Sequence, residues 1–186
     1  MDCASTYYSN ILTNDSSSER VQKYLKEQRK ISGETSRKYL VGYAPRSWSS
    51  LTNYLGKEGF SDSIQIKAGL AKFNKEKELY DVFRDRLMFP IRDRKGRTTG
   101  FGGRVLNSND QPKYLNTGET PVFQKGRELY GLYETLENRR DLKDIYVVEG
   151  YMDAVAMSEN NINNAVATLG IATNRFHVQK LLQLVN

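Results

Sequence analysis

Val147-Val148-Glu149-Gly150-Tyr151-Met152-Asp153 is the stretch that decides the fold of this chain. The hydrophobic segment 145–148 ends abruptly in a carboxylate and a glycine. This pattern predicts a buried strand, a tight turn at Gly150 and a helix that carries Asp153 in its first turn. Glu149 is thereby placed at the carboxyl end of a strand, which is where open α/β sheets bind their ligands.

The two carboxylates of this stretch have two interpretations. Acidic oxygens near a phosphate substrate are the ligands that Mg²⁺ or Mn²⁺ requires, so Glu149 and Asp153 predict a metal-dependent catalytic site. Alternatively, Asp153 only complements the positive end of its helix, and Glu149 is an ordinary residue at a strand end. The local pattern leaves both interpretations open.

Strand and helix alternate from residue 144 to the last residue. Apolar runs predict strands at 145–148 and 165–168, and helices are predicted at 152–159 and 175–184. Thr173 or Asn174 is the expected cap of the second helix. Alternation of this kind is typical of a parallel sheet with helical crossovers, so the fold class is α/β.

The preceding 140 or so residues have a different pattern. Residues 1–80 predict helices, one of them from an apolar stripe at helical spacing and another capped within 16–18, and their Tyr and Trp side chains are expected to pack in the core. Residues 87–91 and 98–105 predict two strands joined by a turn at Arg94-Lys95-Gly96, and residues 132–139 predict a helix. Gly100, Gly102 and Gly103 predict either a close approach to the second strand or a bulge in it.

Composition excludes several classes of protein. Among 186 residues, Cys3 is the only cysteine and His177 the only histidine, which excludes a disulfide framework and any zinc site built from Cys and His within this chain. No apolar run approaches the roughly 20 residues needed to span a bilayer, so no membrane partner is expected. The first residues also lack a signal-peptide pattern, and this predicts a cytoplasmic location.

The basic residues are concentrated in one segment. Between Arg84 and Arg127 there are ten basic and four acidic residues, an excess equal to the net charge of +6 of the whole chain. A concentrated positive surface attracts phosphate polyanions, and the aromatic residues interleaved with it suit stacking on bases of a single strand. The other interpretations are a solvated basic face and aromatic residues that belong to the core.

Several motifs within these segments resemble those of a known family. They occur in the family's order: Arg84-Asp85-Arg86-Leu87-Met88-Phe89-Pro90-Ile91-Arg92-Asp93, Gly100-Phe101-Gly102-Gly103-Arg104, Pro112-Lys113-Tyr114-Leu115-Asn116, Lys125-Gly126-Arg127 followed by Leu129-Tyr130-Gly131-Leu132-Tyr133, Val148-Glu149-Gly150-Tyr151-Met152-Asp153 and Ala165-Val166-Ala167-Thr168-Leu169-Gly170. Together they resemble the RNA polymerase core of bacterial DnaG-type DNA primases. The resemblance implies an α+β N-terminal lobe at 1–127, followed by part of a TOPRIM subdomain at 128–186.

The resemblance also implies roles for particular residues. Glu149 matches the family's TOPRIM glutamate, a metal ligand or general acid/base in nucleotidyl transfer, and Asp153 matches a second acid beside it. The family's basic ridge, which contacts the DNA template and nucleotide phosphates, matches Arg84, Arg86, Arg104, Lys113, Tyr114, Asn116, Lys125 and Arg127. The implied partners are single-stranded DNA, ribonucleoside triphosphates and guanosine alarmones, at the bacterial replication fork.

Three parts of the family pattern do not occur in this sequence. In the family an Asp-x-Asp motif, which supplies principal metal ligands, follows the point reached at Asn186. The zinc-ribbon domain and the domain that docks the replicative helicase are also missing from these 186 residues. With Glu149 and Asp153 alone, we expect Mg²⁺ to bind weakly and the 186-residue chain to be inactive in primer synthesis by itself.

Three functions are compatible with these motifs and this charge distribution. The first is a DNA primase, which copies single-stranded DNA into short RNA primers during replication. The second is a non-catalytic module that binds single-stranded DNA, nucleotides or guanosine alarmones on its basic ridge. The third is a different TOPRIM enzyme, a nuclease or topoisomerase, which would share the Glu149-Gly150 unit and not the motifs at 112–116 and 125–127.

Overall fold

The computed structural model describes residues 1–107, 111–137 and 142–185. Within these ranges the helices are α1 Asp2–Asn14, α2 Glu19–Lys23, α3 Gly33–Lys38, α4 Ser50–Lys57, α5 Asp62–Lys67, α6 Leu132–Glu137, α7 Tyr151–Glu159 and α8 Arg175–Leu182. The strands are β1 Gly42–Ala44, β2 Ala71–Phe73, β3 Leu79–Asp81, β4 Arg86–Arg92, β5 Thr98–Val105, β6 Tyr114–Asn116, β7 Leu129–Tyr130, β8 Tyr146–Val148 and β9 Ala165–Thr168. The predicted α/β fold class is confirmed.

The N-terminal helices follow the predicted periodicity. Tyr8 and Leu12 lie four residues apart on one face of α1, and they are 0% and 5% exposed. The cap predicted within 16–18 is Ser18, which is the N-cap of α2 but makes no side-chain capping bond. Asp15 caps the short 3₁₀ turn before it, Ser16–Ser18, and its Oδ1 accepts the N–H of Ser17 at 2.8 Å. After α2 the chain widens into a π-helical turn, Tyr24–Gln28.

A four-stranded antiparallel sheet in the order β1-β4-β5-β6 forms the centre of the N-terminal lobe. The predicted hairpin of β4 and β5 is present, with Phe89 opposite Gly102, and every residue of both strands is buried. Strand β1 was not predicted, because it falls within residues 1–80, where only helices were expected. It pairs with β4, with Tyr43 opposite Leu87, because a three-residue strand is too short to show an alternating pattern.

A second hairpin, β2 and β3, was not predicted. Ala71 pairs with Asp81 and Phe73 with Leu79 around a turn that contains Lys77 at a φ of 63°. The turn begins at Asn74, whose Oδ1 accepts the N–H of Glu78 at 2.8 Å. The charged residues that follow, Lys75-Glu76-Lys77-Glu78, contain neither the glycine nor the proline of a typical tight turn.

The C-terminal part contains a three-stranded sheet in the order β7-β9-β8. Strands β8 and β9 are parallel as predicted, with Val147 opposite Val166, and α7 connects them. Two expectations were wrong. The sheet is mixed, because β7 pairs antiparallel with β9. Strand β8 is also not buried: it is an edge strand in the described sheet, and Tyr146 and Val147 are 50% and 42% exposed.

The two parts of the chain share a core and a buried ion pair. One hydrophobic cluster contains Phe89 of β4 together with Tyr130 and Tyr151. Arg92 of β4 also donates through Nη2 to Glu134 of α6 at 2.8 Å, and both side chains are buried. The division at residues 127 and 128 stays a prediction. No helix within the described ranges is long and apolar enough to cross a membrane.

Candidate active site

A cleft of about 370 Å³ opens where β8 and β9 end beside the edge strand β6. It is lined by the two segments that follow the parallel strands, by β6 and by the loop after it: Glu149, Gly150, Tyr151, Asp153, Leu169, Gly170, Tyr114, Asn116 and Lys125. The carboxyl ends of neighbouring parallel strands meet at one edge of a sheet, so the sequence motifs at 148–153 and 165–170 converge here.

The two acidic side chains of the cleft differ in their hydrogen bonds. Glu149 is exposed, and its carboxylate accepts no hydrogen bond from any residue that the structure describes. Asp153 is also exposed, but its Oδ2 accepts the N–H of Gly150 at 3.0 Å. Asp153 therefore caps α7, as the second interpretation of the sequence expected, and its other oxygen is available to a ligand. No cluster of three or more metal-ligating side chains occurs among the described residues.

Tyr151 fixes the first turn of α7 against the N-terminal lobe. Its ring stacks on Phe89 with 5.3 Å between centroids and 10° between planes, and its hydroxyl donates to Oδ1 of Asn116. Burial raises the pKa of Tyr151 well above its ordinary value, so the hydroxyl remains a donor. A Cβ on Gly102 would lie 2.3 Å from Cζ of Tyr151, which confirms the predicted close approach to β5.

Asn116 joins this contact to the other side of the cleft. Its Nδ2 donates to the carbonyl of Leu169 at 3.0 Å, immediately after β9. Because Oδ1 and one N–H of the amide are used, the amide nitrogen retains one donor for a ligand in the cleft. Asn116 therefore has one unused amide donor and lines the cleft.

The predicted cations occupy different places around this cleft. Lys125 lines it, and Lys113 is exposed with Nζ at 5.9 Å from the centroid of the Tyr114 ring. Arg127 is exposed and packs over Phe176 of α8 at 4.9 Å. Among the predicted binding residues, Tyr114, Asn116 and Lys125 are the ones that the structure brings together with both acids.

Arg86 and Arg104 have buried side chains. Arg86 is 7% exposed, and its Nη1 donates to the carbonyl of Pro112 at 2.9 Å. Arg104 is 9% exposed, and its Nε donates to the hydroxyl of Tyr114 at 3.2 Å. Both side chains therefore bond to residues in β6 or just before it. Direct contact of either arginine with nucleic acid stays a prediction.

Arg84 lies on a second surface. Its guanidinium is 4.2 Å from the Trp48 ring centroid and lines a cavity of about 400 Å³ with Arg20, Arg46, Ser47, Trp48, Asp85 and Asn107. Trp48 is 66% exposed, so the expectation that it packs in the core was wrong. The sequence around Trp48 gives no signal of this exposure, because tryptophan is a residue type of intermediate burial.

Two known protein families match the two parts of the chain separately. The family model described as "DNA primase catalytic core, N-terminal domain" matches residues 7–136, and a Toprim domain model matches residues 143–184. A DNA primase of Pseudomonas putida strain KT2440 is 48% identical over 186 residues, which are 100% of this chain and 28% of that protein. A DNA primase of Escherichia coli strain K12 is 44% identical over the same 186 residues, or 32% of its length.

Solved structures agree with these relatives. A DNA primase domain from Pseudomonas aeruginosa matches with a TM-score of 0.92 and 47% identity, over 99% of this chain and 57% of that one. A DnaG primase catalytic domain bound to single-stranded DNA matches with a TM-score of 0.91 and 43% identity, over 100% of this chain and 59% of that one. The chain thus spans about three tenths of the curated relatives, and it belongs to the DNA primase catalytic-core family.

Proposed function

We propose that this chain forms part of the polymerising core of a DNA primase, which copies single-stranded DNA into short RNA primers from ribonucleoside triphosphates. The observation that carries the proposal is the shared cleft, in which the carboxylates of Glu149 and Asp153 face Asn116 and Lys125. Cation and amide donors suit nucleotide phosphates, and the acids suit a metal ion between them and those phosphates. The relatives named DNA primase and the DnaG domain bound to single-stranded DNA support the same activity.

Glu149 and the free oxygen of Asp153 would hold Mg²⁺ or Mn²⁺ in this cleft. Two carboxylates are few for Mg²⁺, which takes its remaining ligands from water and substrate phosphates, so we expect weak binding until a nucleotide is present. When bound, the ion supplies a positive charge that stabilises the negative charge developing during nucleotidyl transfer. Lys125 and the remaining N–H of Asn116 orient the phosphates, and Tyr151 keeps Asn116 in place.

The template strand is assigned to the surface around Trp48. An exposed indole with an arginine stacked on it provides both contacts that a single strand needs, a flat apolar face for a base and a cation for a phosphate. Arg46 lines the same cavity and adds positive charge, whereas the charge of Arg20 is paired with Asp85. Of the predicted basic ridge, this surface contains Arg84, and the cleft contains Tyr114, Asn116 and Lys125.

The second candidate is a non-catalytic module that binds single-stranded DNA, nucleotides or guanosine alarmones. The observation in its favour is the small number of carboxylates in the cleft, since the described residues provide two. The two candidates predict the same binding and different chemistry, so a variant that alters only the acid separates them.

The test uses a chimera in which residues 1–186 replace the matching segment of the Escherichia coli primase. We expect Glu149→Gln to lower primer synthesis by about 10²- to 10⁴-fold, with single-stranded DNA affinity within twofold of wild type. Trp48→Ala should instead weaken DNA binding by about 1–3 kcal/mol. Glu58→Gln, which removes an exposed acid beyond the end of α4, is the matched control.

One result would contradict the role of Glu149, and another would contradict the primase candidate. Full synthesis by the Glu149→Gln chimera would end the catalytic assignment of that residue. A wild-type chimera that binds DNA and nucleotide but makes no primer would favour the binding module.

A further inference from the structure

A second cavity, of about 430 Å³, is lined by α1, the π-helical turn and α3. Pockets that bind ligands ordinarily have volumes of about 300–1,000 Å³ and a mainly apolar lining. The apolar lining here comes from residues of the main hydrophobic cluster: Leu12, Leu25, Ile31 and Val41. They are 2–5% exposed, so the core can be reached from solvent at this point. The cavity shares no described residue with the cleft that contains Glu149, and it is therefore a separate site.

Two cations border this apolar lining, and no acidic residue lines the cavity within the described part of the chain. Lys26 comes from the π-helical turn and Arg37 from α3, and both side chains are exposed. Across residues 1–107, 111–137 and 142–185, no ion pair involves either of them. The guanidinium of Arg37 lies beside Gly33, where an added Cβ would be 3.3 Å from Nη1. Both positive charges are therefore available to a ligand.

The segment around the cavity is itself basic. Residues 20–38 contain seven basic and two acidic residues, a net charge of +5. Glu159 of α7 approaches the cavity lining, but its Oε2 accepts the N–H and the hydroxyl of Ser32, at 2.9 and 2.8 Å. This carboxylate is thus held by neutral donors, and the surroundings of Lys26 and Arg37 stay positive. A surface of this kind attracts acidic partners over a distance.

We propose that this cavity docks an acidic segment of a partner protein, in which one leucine- or phenylalanine-sized side chain lies between carboxylates. The apolar side chain enters the cavity, and the carboxylates pair with Lys26 and Arg37. Because these cations come from two different elements, a ligand with several carboxylates around one apolar group complements both. A fatty acid has a single carboxylate. A nucleic acid fits less well, because no described residue that lines the cavity is aromatic, so no ring is present to stack on a base.

The test measures the fluorescence anisotropy of a labelled peptide with the 186-residue chain and with the chimera. The probe has one central leucine between two runs of aspartate, and a second peptide has serine in place of the leucine. The serine peptide should bind at least about 10-fold more weakly, because it has no apolar side chain to bury. Lys26→Gln and Arg37→Gln should each weaken binding of the leucine peptide by about 2- to 5-fold, as expected for an exposed ion pair.

Lys23→Gln is the matched control for charge. Lys23 lies on α2, three residues before Lys26, and it does not line the cavity. We expect Lys23→Gln to leave the affinity for the leucine peptide unchanged. Equal losses for Lys23→Gln and Lys26→Gln would mean that only the overall charge attracts the probe, and equal binding of the two peptides would mean that the cavity is not used. Either result overturns the proposal, as does a failure of the leucine peptide to bind.

Three further outcomes would assign the cavity to another occupant, and each would overturn the proposal. If octanoate displaces the probe at a lower concentration than the unlabelled leucine peptide does, the cavity binds a small amphipathic ligand. If a ~16-nucleotide oligodeoxythymidine displaces the probe and Lys26→Gln weakens its binding equally, the surface belongs to nucleic acid. If the 186-residue chain binds the probe and the chimera does not, another segment of the primase fills the cavity. The proposed function is tested separately, because the cavity and the cleft share no described residue.

Discussion

Gly102→Ala is expected to disturb the cleft from behind. The new Cβ would lie 2.3 Å from Cζ of Tyr151, whereas ordinary contacts begin at 3.4 Å, so the ring and the strand must separate by roughly 1 Å. Tyr151 is 3% exposed and has Phe89 stacked on its ring, so it cannot rotate away. The shift must therefore pass to the first turn of α7, which carries Asp153.

The magnitude follows from two opposing effects. Overpacking of a filled core costs about 1–3 kcal/mol, and replacing glycine by alanine within a strand returns about 0.5–1 kcal/mol. A net loss of about 1–2 kcal/mol in the free energy of unfolding is expected. The effect on chemistry should be larger, because a displacement of about 1 Å at a catalytic group can reduce the rate by about 10²-fold.

Urea unfolding of the 186-residue chain measures the stability, and primer synthesis by the chimera measures the site. Gly103→Ala is the matched control, because its Cβ would meet Phe83 at 2.8 Å and Phe83 belongs to a different hydrophobic cluster. We expect it to cost stability and leave synthesis within a few-fold of wild type. The reasoning is refuted if Gly102→Ala has the wild-type unfolding midpoint, or if both variants reduce synthesis equally.

Two further predictions concern buried ionisable groups. Glu134→Ala removes the carboxylate that pairs with buried Arg92, and it should lower the free energy of unfolding in urea by about 3–5 kcal/mol. Arg97→Ala at the exposed pair with Asp93 should lower it by at most about 1 kcal/mol. Equal losses would contradict the greater importance of the buried pair. Burial, with a smaller effect of the charge on Lys180, lowers the pKa of His177 below its ordinary 6.5, and no described residue bonds either ring nitrogen. Since the unfolded chain then binds a proton that the folded chain does not, stability should fall as the pH drops below about 6.5, by up to about 1.4 kcal/mol per pH unit. His177→Leu should flatten this profile, and parallel profiles of wild type and variant between about pH 5 and 8 would contradict it.

Local sequence predicted the elements that position the cleft. The bounds 165–168 of β9 were predicted correctly, α7 begins one residue before its predicted start, and Asn174 caps α8 through hydrogen bonds from Phe176 and His177. The predicted helix at 132–139 is present to Glu137, and its last two residues lie outside the described ranges. These elements were predictable because apolar periodicity and capping residues act within a few positions of the chain.

The sequence by itself therefore determined which strands end in acids and where the cations are concentrated along the chain. Only the tertiary structure decided which of those side chains line the cleft and which are buried. Arg104 was predicted on the ridge and is buried between two tyrosines, whereas Trp48 was predicted in the core and is exposed. The reason is physical: whether a side chain is exposed depends on contacts with segments distant in the chain, as when Tyr151 meets Asn116, and no local pattern encodes such contacts.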